Sequence, residues 1–166
     1  PGKRHFLRAS QRAKSGEKLK AIFTAPNTAV KCGGAPKKVM YLVNSRLNEA
    51  NARGNVDLTY YDNSDKLFSV KEYADAIEKQ FIEYDKDLEE HEIVKKNQKV
   101  EVPFDFLHIT PPQKAPDEIG KSEIGSDKGW IPVNKETLQH VKYSNIFALG
   151  DIAAVPMGKT GGTVRK

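Results

Sequence analysis

Residues 21–61, AIFTAPNTAVKCGGAPKKVMYLVNSRLNEANARGNVDLTYY, decide the fold. The short apolar run AIFT is stopped by Pro26, which fits a buried strand over Ala21 to Thr24 and a loop from Pro26 onward. Pro36 suits an early helical position, where its missing N–H has no partner to lose. Val39, Met40, Leu42, Val43 and Leu47 then form an apolar stripe as far as Ala50, and Gly54 supplies a stop. VDLTYY, 56–61, reads as a second strand with Val56, Leu58 and Tyr60 on one face and Asp57, Thr59 and Tyr61 on the other. Strand, loop, helix and strand make a βαβ unit, so the fold class is α/β with a parallel sheet and a right-handed crossover.

Outward from that unit, residues 3–20 have scattered apolar positions and no second face, which predicts one short helix ending near Gly16 that packs on something else. VKEYADAIEKQFIEY, 70–84, carries Val70, Tyr73, Ile77 and Phe81 at helical spacing with glutamates outward. The stretch 85–98 is nearly all charged and reads as a solvated helix end and turn, with Ile93 and Val94 a strand remnant. FDFLHITPP, 104–112, is an apolar run closed by two prolines, the pattern of a buried strand entering an irregular loop. QKAPDEIGKSEIGSDKG is rich in turn formers and crosses the surface. NIFALGD, 145–151, reads as the last strand, followed by a loop and a new helix start at TGGTVRK.

At 166 residues the chain fits one domain, or one domain with trailing pieces. Charged residues at 30% and a mean hydropathy of −0.62 place it on the polar side of globular usage, and no apolar stretch approaches the roughly 18 residues of a membrane-spanning helix. PGKRHFLRAS lacks the apolar core of a signal peptide. The start at Pro1 and the stop within TGGTVRK read as cuts, so a soluble fragment of a larger protein is expected. A net charge of +5 invites a nucleic-acid reading, but the basic residues collect at the ends, 72–92 is acidic, and no aromatics interleave with the lysines. No nucleic-acid partner is expected; a solvated surface with some attraction to anionic lipid fits better. A single cysteine excludes an internal disulfide and a multi-cysteine zinc site, and no metal site is visible.

Two stretches could carry chemistry. In KCGGAP, 31–36, Cys32 lies between a strand and a helix start, where unpaired backbone N–H groups favour a thiolate and Lys31 adds positive charge. The alternative, a small buried hydrophobe, is left open by these residues. A dinucleotide fingerprint needs a third glycine that CGGAPKK lacks, which speaks against pyrophosphate binding there. In the second stretch, Asp151 follows a strand and a glycine, at the mouth of an α/β sheet where a carboxylate can accept hydrogen bonds from sugar-type hydroxyls. Gly161 and Gly162 offer backbone N–H donors at the next helix start. A plain strand-to-turn aspartate is the competing reading. His108 sits in an apolar run and reads as a core residue more than a base. His5, His91 and His140 lie in polar contexts with no arranged partners, and the carboxylate pairs of 85–90 belong to a solvated face.

Together AIFTAPNTAVKCGGAPKKVMYL, FDFLHITPPQKAPD and GWIPVNKETLQHVKYSNIFALGDIAAVPMGKTGG resemble consecutive blocks of the sulfide:quinone oxidoreductases, flavoproteins of the glutathione-reductase-like superfamily. The resemblance covers most of 21–166 and corresponds to the middle of such proteins. It implies an N-terminal helical linker over 1–20, a Rossmann-like NAD-domain-like unit over 21–142 and a return segment of the FAD-binding domain over 143–166. It implies FAD in the full-length protein, sulfide and quinone as substrates, and peripheral attachment of that protein to a membrane. The fingerprint for the ADP half of FAD is absent, so this stretch alone should not hold FAD tightly. By the same resemblance Cys32 is the redox cysteine that carries sulfane sulfur beside the flavin, and Asp151 bonds the ribityl chain. Lys159, Thr160 and the backbone at Gly161 flank the pyrimidine edge of the isoalloxazine ring. Many members have a second cysteine after the Gly-Asp pair where this chain has Ile152, and the stretch between Glu83 and Val102 is short for the family. A related flavin-dependent NAD(P)H oxidoreductase, such as a type II NADH:quinone oxidoreductase, and a non-catalytic module binding through its basic ends are the alternatives.

Overall fold

The computed structural model describes residues 2–26, 28, 30–62, 64, 67, 68, 70–84 and 101–156. They fall into two compact units, one built from Pro1–Asn27 and Gly34–Pro111 and the other from Thr28–Gly33 and Pro112–Lys166.

The first unit is the βαβ core. Helix α1 (Gly2–Lys14) precedes β1 (Leu19–Thr24); α2 (Ala35–Glu49) crosses to β2 (Val56–Tyr61); α3 (Lys71–Tyr84) and β3 (Phe106–His108) follow. The three strands form a parallel sheet in the order β2-β1-β3, with Leu19 opposite Val56 and Ala21 opposite both Leu58 and Phe106. This is the α/β, Rossmann-like architecture expected from the sequence. Central position explains the burial of β1: Phe23 is fully buried, its ring 5.9 Å from those of Phe106 and His108 on the neighbouring strand. Met40 and Leu47 from α2, Ala13 from α1, and Leu19, Ala21, Ala52 and Val56 complete one core. The apolar stripe of α2 therefore faces the sheet, as its spacing requires.

Three boundaries differ from the sequence reading. Strand β1 starts two residues earlier, at Leu19, because Asp105 clamps it: the Asp105 carboxylate accepts the Lys20 N–H at 3.0 Å and the Lys20 carbonyl accepts the Asp105 N–H at 2.9 Å. The end of α2 is set by Asn51 and not by Gly54. Asn51 takes φ +53°, its N–H reaches the Asn48 carbonyl and the Ala52 N–H reaches that of Leu47, with Ala52 and Leu47 both buried. That is a left-handed helix cap closed by an apolar contact, and asparagine is the residue after glycine that best tolerates it. The third difference concerns the stretch NIFALGD of the second unit, described below.

No pattern in the sequence announces a buried ion pair, yet Lys37 in the first turn of α2 is 5% exposed and donates to the Asp62 carboxylate just past β2 at 2.9 Å. Its ammonium also lies 4.9 Å from the Tyr60 ring centre. Burial, and then the negative charge of Asp62, push the Tyr60 phenol above its ordinary pKa.

Among its described residues the second unit has little regular structure. A short helix, α4 (Asp117–Gly120), leads into turns joined by isolated bridges: Ile131 to Ala153 in parallel, Val133 to His140 and Gln139 to Phe147 antiparallel. Ile131, Val133, Ala148 and Ala153 form its core. Gly125 admits no side chain, since an added Cβ would lie 2.1 Å from the Ile119 carbonyl oxygen. NIFALGD, expected as a buried strand, makes only the Phe147 bridge before a 3₁₀ turn at Gly150–Ile152. Ala148 alone of its apolar residues is buried; Phe147 is 59% and Leu149 72% exposed. A stretch apolar on both faces becomes a buried strand only when neighbours pair with both edges and cover both faces. Among the described residues it has a partner on one edge.

Candidate functional site

The second unit brings together the two stretches singled out in the sequence. Lys31, immediately before Cys32, donates its backbone N–H to the Gln113 side-chain oxygen at 2.9 Å. Its ammonium donates to the backbone carbonyl of Asp151 at 2.8 Å and lies 3.5 Å from the centre of the Trp130 ring. An ammonium has three donors and no acceptor, so a carbonyl oxygen and the electron-rich face of an indole are matched partners. Residues 120 positions apart in the chain are thereby tied together.

Trp130 and Asp151 are themselves held. The Ser126 N–H reaches the Trp130 carbonyl at 2.8 Å, the Ile131 N–H reaches the Ile152 carbonyl at 3.0 Å, and the Ala154 N–H reaches the Ile131 carbonyl at 2.8 Å. Gly150 makes the turn into Asp151 with φ +70°, a conformation open to glycine at no steric cost. Asp151 is exposed, which leaves its carboxylate open to a hydroxyl-bearing ligand, while Cys32 is half-buried.

The chain is 38% identical over 160 residues to the mitochondrial sulfide:quinone oxidoreductase of Mus musculus, an alignment covering 87% of this chain and 36% of the relative. The enzymes of the same name from Schizosaccharomyces pombe and Dictyostelium discoideum are 35% and 33% identical, over 90% and 87% of this chain and 36% and 35% of the relatives. The chain is a homologue of the sulfide:quinone oxidoreductases. It spans about a third of the length of these relatives. No protein-family model matches it.

Of the residues assigned by the family resemblance, Cys32 and Asp151 fall in one unit. Lys159, Thr160 and Gly161 lie outside the described residues, as does the helix start at TGGTVRK. An exposed acceptor carboxylate on a fixed turn fits the ribityl hydroxyls of a flavin, so Asp151 has the chemistry asked of it. Lys31 was expected as a charge beside the thiol; its ammonium is engaged by Trp130 and by the Asp151 carbonyl.

The histidines resolve differently. His108 packs its ring against Phe23 in the first unit but is half-buried, and its buried Nδ1 has no hydrogen-bond partner among the described residues, so it is not a satisfied core histidine. His140 was read as a polar residue without partners, yet it is 6% exposed and organises a turn of this homologue. Its Nδ1 accepts the backbone N–H groups of Lys142 at 2.9 Å and Tyr143 at 3.1 Å, and Nε2 lies 3.1 Å from the Ile124 carbonyl oxygen, which requires the Nε2–H tautomer. All three partners are backbone atoms, so no pattern of side chains could have announced the role. Gln113 and Trp130 were missed for a related reason: each acts through Lys31 and neither bears a reactive group. Among the described residues there is no cluster of three or more potential metal ligands, and no helix is long and apolar enough to cross a membrane.

Proposed function

We propose that this chain is the central section of a flavin-dependent oxidoreductase that oxidises sulfide to sulfane sulfur and delivers the electrons to quinone. In this reading 21–142 is the NAD-domain-like unit, 143–166 returns to the FAD domain, and the complete protein sits on a membrane surface. The observation that carries it is the tie between the Cys32 segment and the Asp151 turn through Lys31, which brings the sulfur-handling and flavin-binding candidates into one structural unit.

Cys32 then holds the sulfur. Sulfide leaves as sulfane sulfur by losing two electrons and a proton, and bound FAD would supply the two-electron acceptor that quinone re-oxidises. Asp151 would accept hydrogen bonds from the ribityl hydroxyls, and Lys159, Thr160 and the Gly161 N–H would favour negative charge at the pyrimidine edge. Ile152 stands at the position of a second cysteine in many members, so a thiol shuttle through that position is not available to this chain.

A nicotinamide donor fits less well. Besides the missing glycine, the carboxylate that follows β2, where a dinucleotide-binding fold holds the ribose, is Asp62, already paired with buried Lys37. A non-catalytic module would bind no flavin even at full length.

Sulfide with a quinone analogue, added to the full-length protein, should bleach the flavin absorbance and then restore it. A flavin that sulfide leaves untouched while NADH bleaches it would sink the proposal in favour of the nicotinamide reading. Cys32→Ser should abolish sulfide oxidation with flavin still bound, because the thiol is used for chemistry and not for holding FAD; loss of flavin in that variant would count against the role given to Cys32.

A further inference from the structure

We infer that Lys31 is a positioning residue, a strap that fastens the Cys32 segment to the Trp130 and Asp151 turns. The inference rests on reading Cys32 as the sulfur-bearing residue.

Three anchors on one residue support it. The backbone N–H is held by Gln113 at 2.9 Å, and the ammonium is held by the Asp151 carbonyl at 2.8 Å and by the Trp130 ring at 3.5 Å. Both ends of Lys31 are therefore fixed, and Cys32 follows without an intervening residue. The anchor points are rigid in turn. Trp130 and Asp151 flank the paired segments in which Ile131 exchanges backbone hydrogen bonds with Ile152 and Ala154, above the buried Ile131 and Ala153. The side chain thereby fixes where the half-buried sulfur lies relative to the Asp151 turn.

Arginine can satisfy the same two partners, since its guanidinium stacks on aromatic rings and donates to carbonyl oxygens. Methionine keeps the apolar stem and removes the donor and the charge. Trp130→Leu removes an anchor and keeps the charge on Lys31, so it separates the strap from simple electrostatics; the readout is the rate of Cys32 alkylation by iodoacetamide, followed in the full-length protein by mass spectrometry of the Cys32 peptide.

Lys31→Met should raise the alkylation rate several-fold, as a loosened loop exposes the sulfur. Trp130→Leu should do the same and Lys31→Arg should return the rate to that of the parent. In turnover, Lys31→Met should lower kcat for sulfide by roughly tenfold or more through misplacement of the reacting atom, with KM for quinone unchanged. An alkylation rate in Trp130→Leu that stays at that of the parent would assign the effect of Lys31 to its charge and overturn the strap, and so would an unchanged or slower rate in Lys31→Met. The two proposals fail separately. A protein that shows this alkylation pattern but does not oxidise sulfide loses the function proposed above and keeps the strap; one in which Lys31→Met turns over sulfide like the parent keeps that function and loses the strap.

Discussion

The two units are held by different means. The first is a parallel ladder covered by helix, with Phe23 at its centre and apolar contacts from three elements. Among its described residues the second has five buried apolar residues, three isolated bridges and a set of polar contacts directed at backbone atoms. Burial scales with the apolar area removed from water and tolerates some change of shape, whereas a polar contact loses most of its worth when one partner goes. The comparison teaches where the candidate site residues fall. Cys32 and Asp151 lie in the unit whose geometry is set residue by residue.

The largest effect should come from the first unit. Phe23→Ala removes a fully buried aromatic side chain with ring contacts to Phe106 and His108, and should cost about 3–5 kcal/mol. Urea denaturation would show it as a lower midpoint with an unchanged slope. A loss under about 1 kcal/mol would mean that the sheet is not the source of stability and that the contrast between the units is misdrawn.

In the second unit a single polar residue should matter more than any single apolar one. His140→Phe keeps a ring of similar size but leaves the Lys142 and Tyr143 N–H groups without their acceptor, at a cost of about 1–3 kcal/mol. Hydrogen exchange should quicken at those two amides and at the neighbouring turn, while β1 and β2 keep their protection. Faster exchange spreading into β1 would show one cooperative body in place of two separately stabilised units.

This contrast also explains what could be read in the sequence. The first unit is written in period and punctuation: AIFT, the α2 stripe and VDLTYY each announce an element, and all three are present within two residues of the expected limits. Its buried Lys37–Asp62 pair was not legible, because each residue alone looks like ordinary surface charge. NIFALGD shows the opposite failure. Its composition is that of a strand, but strand formation depends on partners that local composition does not contain. For the site, Cys32 and Asp151 were visible as residue types beside glycines. Their connection was not, since Lys31 reaches across 120 positions to a backbone oxygen and no spacing rule encodes that. The charge of Lys31 is legible in the sequence; its contacts with Trp130 and the Asp151 carbonyl are not.

The smallest effect sharpens the comparison from the solvent side of the first unit, where α1 and β3 are joined by charge. The Asp105 carboxylate accepts the Lys20 N–H and a bond from the Arg12 guanidinium, and these hold it below the usual carboxylate range. Arg12 also bonds Glu17 and depresses it in the same sense. A carboxyl group with a depressed folded-state pKa releases its proton more readily in the folded chain, so its contribution is present above its ordinary value near 4 and is lost as pH falls through the depressed one. Denaturation midpoints measured from pH 7 down to about 2.5 should therefore fall more steeply for the parent than for Asp105→Asn. At pH 7 the variant should be only slightly less stable, because water screens these exposed partners and such pairs are worth little. The two curves should close together at the acid end, where Asp105 is protonated in both states. Parallel curves throughout would mean that the Lys20 amide, which asparagine can still satisfy through its side-chain oxygen, does all the clamping and that the charge on Asp105 adds nothing.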